Sequence, residues 1–258
     1  MLIVDAHEDI AWSALTFGRD YTTSVHQIRT AEAGSDTPTQ NGSACLGRKE
    51  WLSGKVGVVF ATLFVSPFTR RLGAWDHICY RDTDEAYRLA QEQLDYYLRL
   101  EDENSYWRII RDRADLDTVT ASWEPGARKG NLIGIALLME GADPIRTPDD
   151  VEHWQEHGVR IIGPAWAGTR YCGGTGDPGP LTNAGEALLE QMADCGIILD
   201  VSHMSERSFD QAVERYEGVV IASHANPRFA TELSTPERGL TDDQIRKLAE
   251  RDSVIGII

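Results

Sequence analysis

The chain alternates short apolar runs with longer segments in which apolar residues recur at helical spacing. The apolar runs are rich in Val and Ile, and they lie at residues 2–4, 56–65, 132–139, 159–162, 196–201, 219–222 and 253–258. Continuous apolar runs of this kind are typical of strands buried on both faces of a parallel sheet. Their alternation with helical segments predicts an α/β fold with right-handed crossovers.

Four of the intervening segments are predicted helices, at residues 82–103, 182–195, 205–216 and 241–250. The last three begin with hydroxyl residues suited to an N-cap, Thr182, Ser205 and Thr241, because such a side chain can accept a hydrogen bond from the first turn. Gln244 follows Thr241 at the spacing of a capping box.

The number and order of these elements favour one (β/α)8 TIM-type barrel domain over residues 1–258. Such a barrel needs eight strands and typically about 250 residues. Only seven strand candidates are visible, and residues 17–54 form a long insertion after the first of them. The sequence therefore predicts a barrel that is truncated before its eighth strand. No internal repeat or Pro-rich linker indicates a second domain.

Composition narrows the classes of partner and compartment. The net charge of −16 and the pI of about 4.8 argue against nucleic acid as a ligand, since such a surface repels phosphate backbones. The four cysteines form no CxxC pair, which favours a reducing compartment. The N-terminus lacks the features of a signal peptide, and no apolar run approaches the roughly 18 residues of a membrane span. We therefore expect a cytoplasmic protein.

Four strand candidates end in residue types that bind metals. The residues are His7 and Asp9 after the first run, Glu140 after 132–139, His203 after 196–201 and His224 after 219–222. The carboxyl ends of parallel barrel strands converge on one face, so these side chains are expected to meet there. His7 and Asp9 are two residues apart and would point to the same side of a strand. Glu140 would be costly to bury unless it were paired or bound a metal.

Three imidazoles and two carboxylates suit zinc better than calcium or magnesium, which prefer oxygen ligands. One of the carboxylates could bridge two ions about 3.5–4 Å apart, which would hold a bridging hydroxide as nucleophile. The remaining histidines lie in loops or helical segments and are expected to be structural or exposed: His26, His77, His153 and His157.

Six motifs in this order resemble the membrane dipeptidase (renal dipeptidase) family of zinc peptidases, a branch of the amidohydrolase superfamily. They are DAHED at 5–9, MEG at 139–141, GVR at 158–160 with PAWAG at 164–168, LTNAG at 181–185, DVSHMSE at 200–206 and SHANPR at 223–228. The resemblance implies hydrolysis of dipeptides at two zinc ions. His7 and Asp9 would bind one ion, His203 and His224 the other, and Glu140 would bridge them.

The resemblance also implies that Glu140 and Asp9 are catalytic and that Arg238, in PERGL at 236–240, binds the substrate carboxylate. Trp166 stands where some members have a substrate-contacting histidine, so we expect it to contact the substrate and the substrate preference to differ from that of the renal enzyme. The family's Asp after the eighth strand has no counterpart before Ile258. Unpaired sheet edges, together with the habit of the family, favour a homodimer.

Two alternatives remain open at the level of sequence. The same barrel could hydrolyse another amide, a lactone or a phosphoester, because fold does not fix substrate. The chain could also be a catalytically silent, truncated fragment that binds only a metal or a partner.

Overall fold

The computed structural model describes residues 1–127, 130–228 and 238–258. In chain order, the strands are β1 (Ile3–Glu8), β2 (Val56–Phe64), β3 (Ser66–Pro67), β4 (Cys79–Tyr80), β5 (Trp107–Ile109), β6 (Ile133–Glu140), β7 (Val159–Gly163), β8 (Cys172–Gly174), β9 (Asp177–Leu181), β10 (Ile198–Asp200) and β11 (Val220–Ile221). The α-helices are α1 (Ile10–Phe17), α2 (Val25–Ala31), α3 (Thr37–Asn41), α4 (Arg48–Gly54), α5 (Thr83–Glu103), α6 (Arg113–Ala121), α7 (Asp150–Glu156), α8 (Asn183–Asp194), α9 (Glu206–Arg215) and α10 (Asp242–Glu250).

The chain folds as two compact units. The first unit is Met1–Thr62 with Gln93–Ala136, and the second is Leu63–Glu92 with Leu137–Ile258. In the first unit, β1 pairs with β2 and β5 pairs with the start of β6, in both cases in parallel. In the second unit, the end of β6, β7, β10 and β11 form successive parallel pairs. The predicted α/β class with a parallel sheet is therefore confirmed.

The core of the first unit is built around aromatic side chains that the sheet and helices enclose. Trp51 of α4 packs edge-on against Trp107 of β5, with ring centroids 5.4 Å apart. Tyr97 of α5 is fully buried, and its hydroxyl accepts from the backbone N–H of Ala11 and donates to the carbonyl of Thr62, each at 3.0 Å. These bonds satisfy polar groups that would otherwise be costly to bury and fix α5 against the carboxyl end of β2.

In the second unit, the strand ends are supported by an antiparallel hairpin of β8 and β9. Gly173 and Gly179 approach so closely that a Cβ added to Gly173 would lie 2.0 Å from the Gly179 nitrogen. Ser205, at the start of α9, donates its backbone N–H to the carbonyl of Gly173 and its hydroxyl to the carbonyl of Gly179. The hairpin is thereby fixed to the segment that follows β10.

The helical predictions match four observed helices, α5, α8, α9 and α10, within one residue at each end. Thr182 accepts from the Gly185 N–H, and Thr241 with Gln244 forms both bonds of a capping box, which confirms these caps. Ser205 occupies the N-cap of α9 but makes no side-chain capping bond. That part of the prediction is wrong because its hydroxyl is committed to Gly179 instead.

The apolar runs predicted β1, β2, β6, β7, β10 and β11, but the short strands β3, β4, β5, β8 and β9 were not foreseen. Of these, β5, the three residues Trp107–Ile109, belongs to the parallel sheet and pairs with the start of β6. The strand predicted at residues 253–258 is not formed as such; within it, Ile255 makes an isolated parallel bridge with Ala222. The predicted insertion at 17–54 is about half helical and contains α2, α3 and α4. None of the described helices has the length and apolar composition that a bilayer crossing requires.

Candidate metal centre

Three of the predicted ligands meet in the second unit. Glu140 is the last residue of β6, His203 follows β10, and His224 follows β11. The Oε1 atom of Glu140 lies 3.2 Å from Nε2 of His203 and 3.2 Å from Nε2 of His224. The two Nε2 atoms are 3.0 Å apart. All three side chains are largely buried.

The local fold explains this convergence. β6, β7, β10 and β11 are parallel neighbours, so their carboxyl ends lie at one edge of the sheet. Asp200, the last residue of β10, accepts hydrogen bonds at Oδ1 from the N–H groups of Ser202 and Ser223. These bonds hold the segments after β10 and β11 side by side. His203 has a φ of 67°, a left-handed conformation that is uncommon outside glycine and is often found at functional sites.

The orientation of His203 is set by a residue that the sequence did not single out. Thr175 lies in the turn between β8 and β9, and its Oγ1 is 2.9 Å from Nδ1 of His203. This contact leaves Nε2 directed at Glu140. Burial lowers the pKa of His203, against the opposing effect of the Glu140 carboxylate, and so favours the neutral imidazole that binds metals.

His224 is oriented by its own neighbour in sequence. Ser223 Oγ lies 2.8 Å from Nδ1 of His224 and also hydrogen-bonds Oδ2 of Asp200. The backbone N–H of His224 donates to the hydroxyl of Ser202. The imidazole is thus held on the side of Nδ1, and its Nε2 faces Glu140 and His203.

The donor set fits a bound cation. Two imidazole nitrogens and one carboxylate oxygen converge within 3.2 Å, an electron-rich arrangement that a divalent ion would neutralise. Glu140 and His224 belong to a group of side chains whose ligand atoms could hold a metal. Imidazole with carboxylate is a ligand set suited to zinc and related first-row ions.

Arg238 and Trp166, the predicted substrate-binding residues, both lie near this cluster. Nη2 of Arg238 donates to the carbonyl oxygen of His224 at 2.6 Å. Burial lowers the pKa of Arg238, while the charges of Glu140 and Asp200 act in the opposite direction. The ring of Trp166 lies 6.3 Å from that of His203. Residues 236 and 237 of the PERGL motif lie outside the described residues.

His7 and Asp9 belong to the first unit, at the end of β1 and immediately after it. His7 Nε2 is 3.7 Å from Asp9 Oδ1, and the hydroxyl of Thr62 donates to the same oxygen at 2.6 Å. Burial, followed by the charges of Asp5 and Asp9, raises the pKa of Glu8 to about 9. A cavity of about 200 Å³ in this unit is lined by His7, Glu8, Asp9, Ser13, Arg19, Tyr21, Ala44, Cys45 and Leu46.

The other histidines have ordinary surroundings. His26 and His77 are exposed. His153 of α7 lies 3.2 Å from the hydroxyl of Tyr87, and His157 hydrogen-bonds the carbonyl of His153. These positions agree with the structural and surface roles that the sequence predicted for them.

The supporting hydroxyls and Asp200 were missed by sequence reasoning for different reasons. Asp200 and Ser223 lie within the DVSHMSE and SHANPR motifs, so their proximity to the two histidines was a usable signal. Thr175 lies in a glycine-rich loop nearly thirty residues before His203, and Thr62 lies within an apolar run. No local pattern connects either residue with the ligand that it contacts.

Comparison with known proteins identifies relatives of the chain. The family model for membrane dipeptidase (Peptidase family M19) matches residues 1–258. An uncharacterised protein in the PQQ-III 3′ region of Acinetobacter calcoaceticus is 27% identical over 180 residues, covering 66% of this chain and 54% of that protein. An uncharacterised dipeptidase of Schizosaccharomyces pombe is 28% identical over 218 residues, covering 79% and 48%. The chain spans about half the length of the curated relatives it matches.

A solved structure shares the fold. It is that of a metallo peptidase from Rhodobacter sphaeroides liganded with a phosphinate mimic of the dipeptide L-Ala-D-Ala. This chain matches it with a TM-score of 0.74 at 20% identity, over 100% of this chain and 73% of that one. The likeness supports an α/β fold with a parallel sheet, consistent with a TIM-type barrel.

Proposed function

The chain belongs to the membrane dipeptidase family (Peptidase family M19), and from this membership we propose that it is a zinc-dependent dipeptidase. The observation that carries the proposal is the convergence of Glu140, His203 and His224 within 3.2 Å of one another at the ends of three parallel strands. Buried imidazole and carboxylate groups in this arrangement are suited to holding a divalent ion.

We propose that five side chains hold two zinc ions: His7 and Asp9 one, His203 and His224 the other, with Glu140 between them. The family motifs support the contribution of His7 and Asp9, and the geometry of the second unit supports the remaining three. Bound zinc would supply Lewis acidity and an activated water for attack on a peptide carbonyl.

The chain's own residues would bind and orient the substrate. Arg238 would pair with the free carboxylate of a dipeptide, because its planar guanidinium matches a carboxylate in a bidentate fork. Trp166, packed edge-on against Phe64 at 5.1 Å, would present a rigid apolar wall. Glu140 and Asp9 would act as the catalytic carboxylates. A cytoplasmic homodimer is proposed as the form in which the protein works.

The test is zinc content and turnover of the full chain. Zinc-loaded protein is assayed with L-Ala-L-Ala, L-Ala-D-Ala, a lactone and a phosphotriester, and bound zinc is measured by elemental analysis. We expect two zinc ions per chain and hydrolysis of dipeptides. Glu140→Gln should lose turnover and zinc, whereas Glu190→Gln, which removes an exposed carboxylate on α8, should retain both.

Other outcomes separate the rivals. Turnover of the lactone or phosphotriester without dipeptide hydrolysis would favour a different hydrolase on the same fold. Zinc binding without any turnover would favour a metal-binding fragment, and a Glu140→Gln variant that keeps both zinc and activity would rule out a role for Glu140. His7→Ala should reduce the zinc content to one ion per chain, and an unchanged content would remove His7 from the site.

A further inference from the structure

We propose that Asp200 and Ser223 are positioning residues that fix the tautomer of His224, and that they thereby set its strength as a ligand. The inference rests on the proposed function, because it takes zinc as the ion that His224 binds. It depends on four groups that are all buried in the second unit: Asp200 is 1% exposed, Ser202 3%, Ser223 3% and His224 5%.

The direction of each hydrogen bond follows from counting donors. Both backbone N–H groups, from Ser202 and Ser223, point at Oδ1 of Asp200 at 3.0 and 2.9 Å. Oδ2 of Asp200 faces the hydroxyl of Ser223. A carboxylate only accepts, so the one proton of the Ser223 hydroxyl is directed to Asp200.

The same count of donors determines which nitrogen of the His224 imidazole carries the proton. Ser223 Oγ has already donated its proton to Asp200, so it can only accept from Nδ1 of His224, which lies 2.8 Å away. In the neutral ring, a proton on Nδ1 leaves Nε2 with a lone pair. Nε2 is the atom that lies 3.2 Å from Glu140 Oε1. The chain of hydrogen bonds from His224 through Ser223 to Asp200, called the relay below, therefore leaves Nε2 unprotonated, as metal binding requires.

These hydrogen-bond directions also exclude a role of Ser223 as the nucleophile of a Ser-His-Asp triad. In a serine nucleophile the hydroxyl gives its proton to the imidazole, whereas here the hydroxyl accepts from the imidazole and donates to the carboxylate. The 3% exposure of Ser223 also keeps a substrate away from the oxygen. The carboxylate instead makes the imidazole a stronger ligand, as outer partners of metal-bound histidines do.

Asp200→Asn distinguishes this proposal from a purely structural role of Asp200, because only the proposal predicts a change of the His224 tautomer. Two backbone N–H groups still require an acceptor at Oδ1, so the amide nitrogen must replace Oδ2 and donate to Ser223. The serine proton would then turn towards Nδ1 of His224 at 2.8 Å, which is closer than Ser202 Oγ at 3.3 Å, and would force the ring proton onto Nε2. Nitrogen-15 spectra of the metal-free protein, taken at about pH 9, above the usual imidazole pKa, should show Nδ1–H in the wild type and Nε2–H in the variant. The same tautomer in both would overturn the proposal.

Zinc affinity is the second readout. Competition with a chromogenic chelator should show losses of roughly 10- to 100-fold for Ser223→Ala and Asp200→Asn. Ser66→Ala is the matched control, because Ser66 of β3 is as buried as Ser223, at 3% exposure, and its hydroxyl contacts Cys79 Sγ rather than Asp200 or His224; it should bind zinc like the wild type. Wild-type affinity in Ser223→Ala would refute the inference. A wild type without zinc affinity would refute the proposed function instead and leave the tautomer result to decide the relay.

Discussion

Arg238 is the residue at which the proposed recognition of the substrate carboxylate can be tested most directly. One of its nitrogens is committed to the carbonyl of His224, so the guanidinium is held in place while further N–H groups can bind a carboxylate. Arg238→Lys keeps the positive charge but loses the planar guanidinium that can donate two parallel hydrogen bonds to a carboxylate. We expect kcat/KM for dipeptides to fall by about 10- to 150-fold, the equivalent of roughly 1.5–3 kcal/mol for a hydrogen bond to a charged group.

The matched substrate for this test is a dipeptide amide, which lacks the terminal carboxylate. Wild type and Arg238→Lys should hydrolyse the amide at similar rates, because the amide has no carboxylate for either side chain to bind. An equal loss for dipeptide and amide would show that the substitution acts on the cluster through His224 and not on the substrate.

At the scale of elements, the hairpin of β8 and β9 controls the position of Thr175 and therefore of His203. Gly173→Ala would place a Cβ 2.0 Å from the Gly179 nitrogen and 2.5 Å from its Cα. Backbone atoms cannot yield as a flexible side chain can, so we expect a loss of stability of at least about 1–3 kcal/mol and weaker zinc binding. Urea denaturation and chelator competition measure the two effects.

Gly130→Ala is the control for this change, since a Cβ at Gly130 would meet nothing within 4 Å. It should leave both stability and zinc affinity close to those of the wild type. If Gly173→Ala also left them unchanged, the hairpin would not be the support that its contacts with Ser205 and His203 indicate.

The connection from α5 to β5 gives a prediction for pH. Burial alone would raise the pKa of Glu101, but hydrogen bonds from Arg111 and the Ile109 N–H, with the charge of Arg108, outweigh it and lower the pKa. A carboxylate with a lowered pKa stabilises the fold above its unfolded value of 4.5 and loses this contribution as the pH falls through the lower folded value. Glu101→Gln should therefore destabilise the protein by about 1–2 kcal/mol at neutral pH.

The difference between wild type and Glu101→Gln should shrink as the pH falls below 4.5, because protonation removes the same charge from the wild type. Denaturation curves at several pH values measure it, with Glu103→Gln, an exposed neighbour on the same helix, as the control. A constant difference across the range would mean that the charge of Glu101 contributes nothing.

The elements that sequence predicted well are those with long or repeated signals. α5 shows helical spacing over 21 residues, and β6 is buried at all eight positions, as its apolar run required. β5 was missed because it has three residues and an exposed arginine, Arg108, at its centre. So short a strand is defined by its pairing with Ile133–Ile135 of β6, which is a non-local property.

At the scale of the whole molecule, the sequence predicted which side chains come together in the second unit better than it predicted the residues that orient them. Glu140, His203 and His224 could be chosen because they follow apolar runs, and strand order in a parallel sheet brings such positions together. Their orientation depends on Thr175, Ser223 and Asp200, of which only the last two lie close in sequence to a ligand. Hydrogen bonds between distant loops carry no periodic signal, so this layer of the site required the structure.

Removal of metal should lower the stability of the folded chain. Glu140, His203 and His224 lie at the ends of β6, β10 and β11, so an ion bound by them would link three strands and would bind the folded state in preference to the unfolded one. Zinc at about 100 times its Kd should stabilise the fold by roughly 2.7 kcal/mol. Calorimetry of chelator-treated and zinc-loaded protein measures this gain, which Glu140→Gln should reduce and Glu190→Gln should preserve. Identical transitions with and without zinc would mean that the three strand ends do not share an ion.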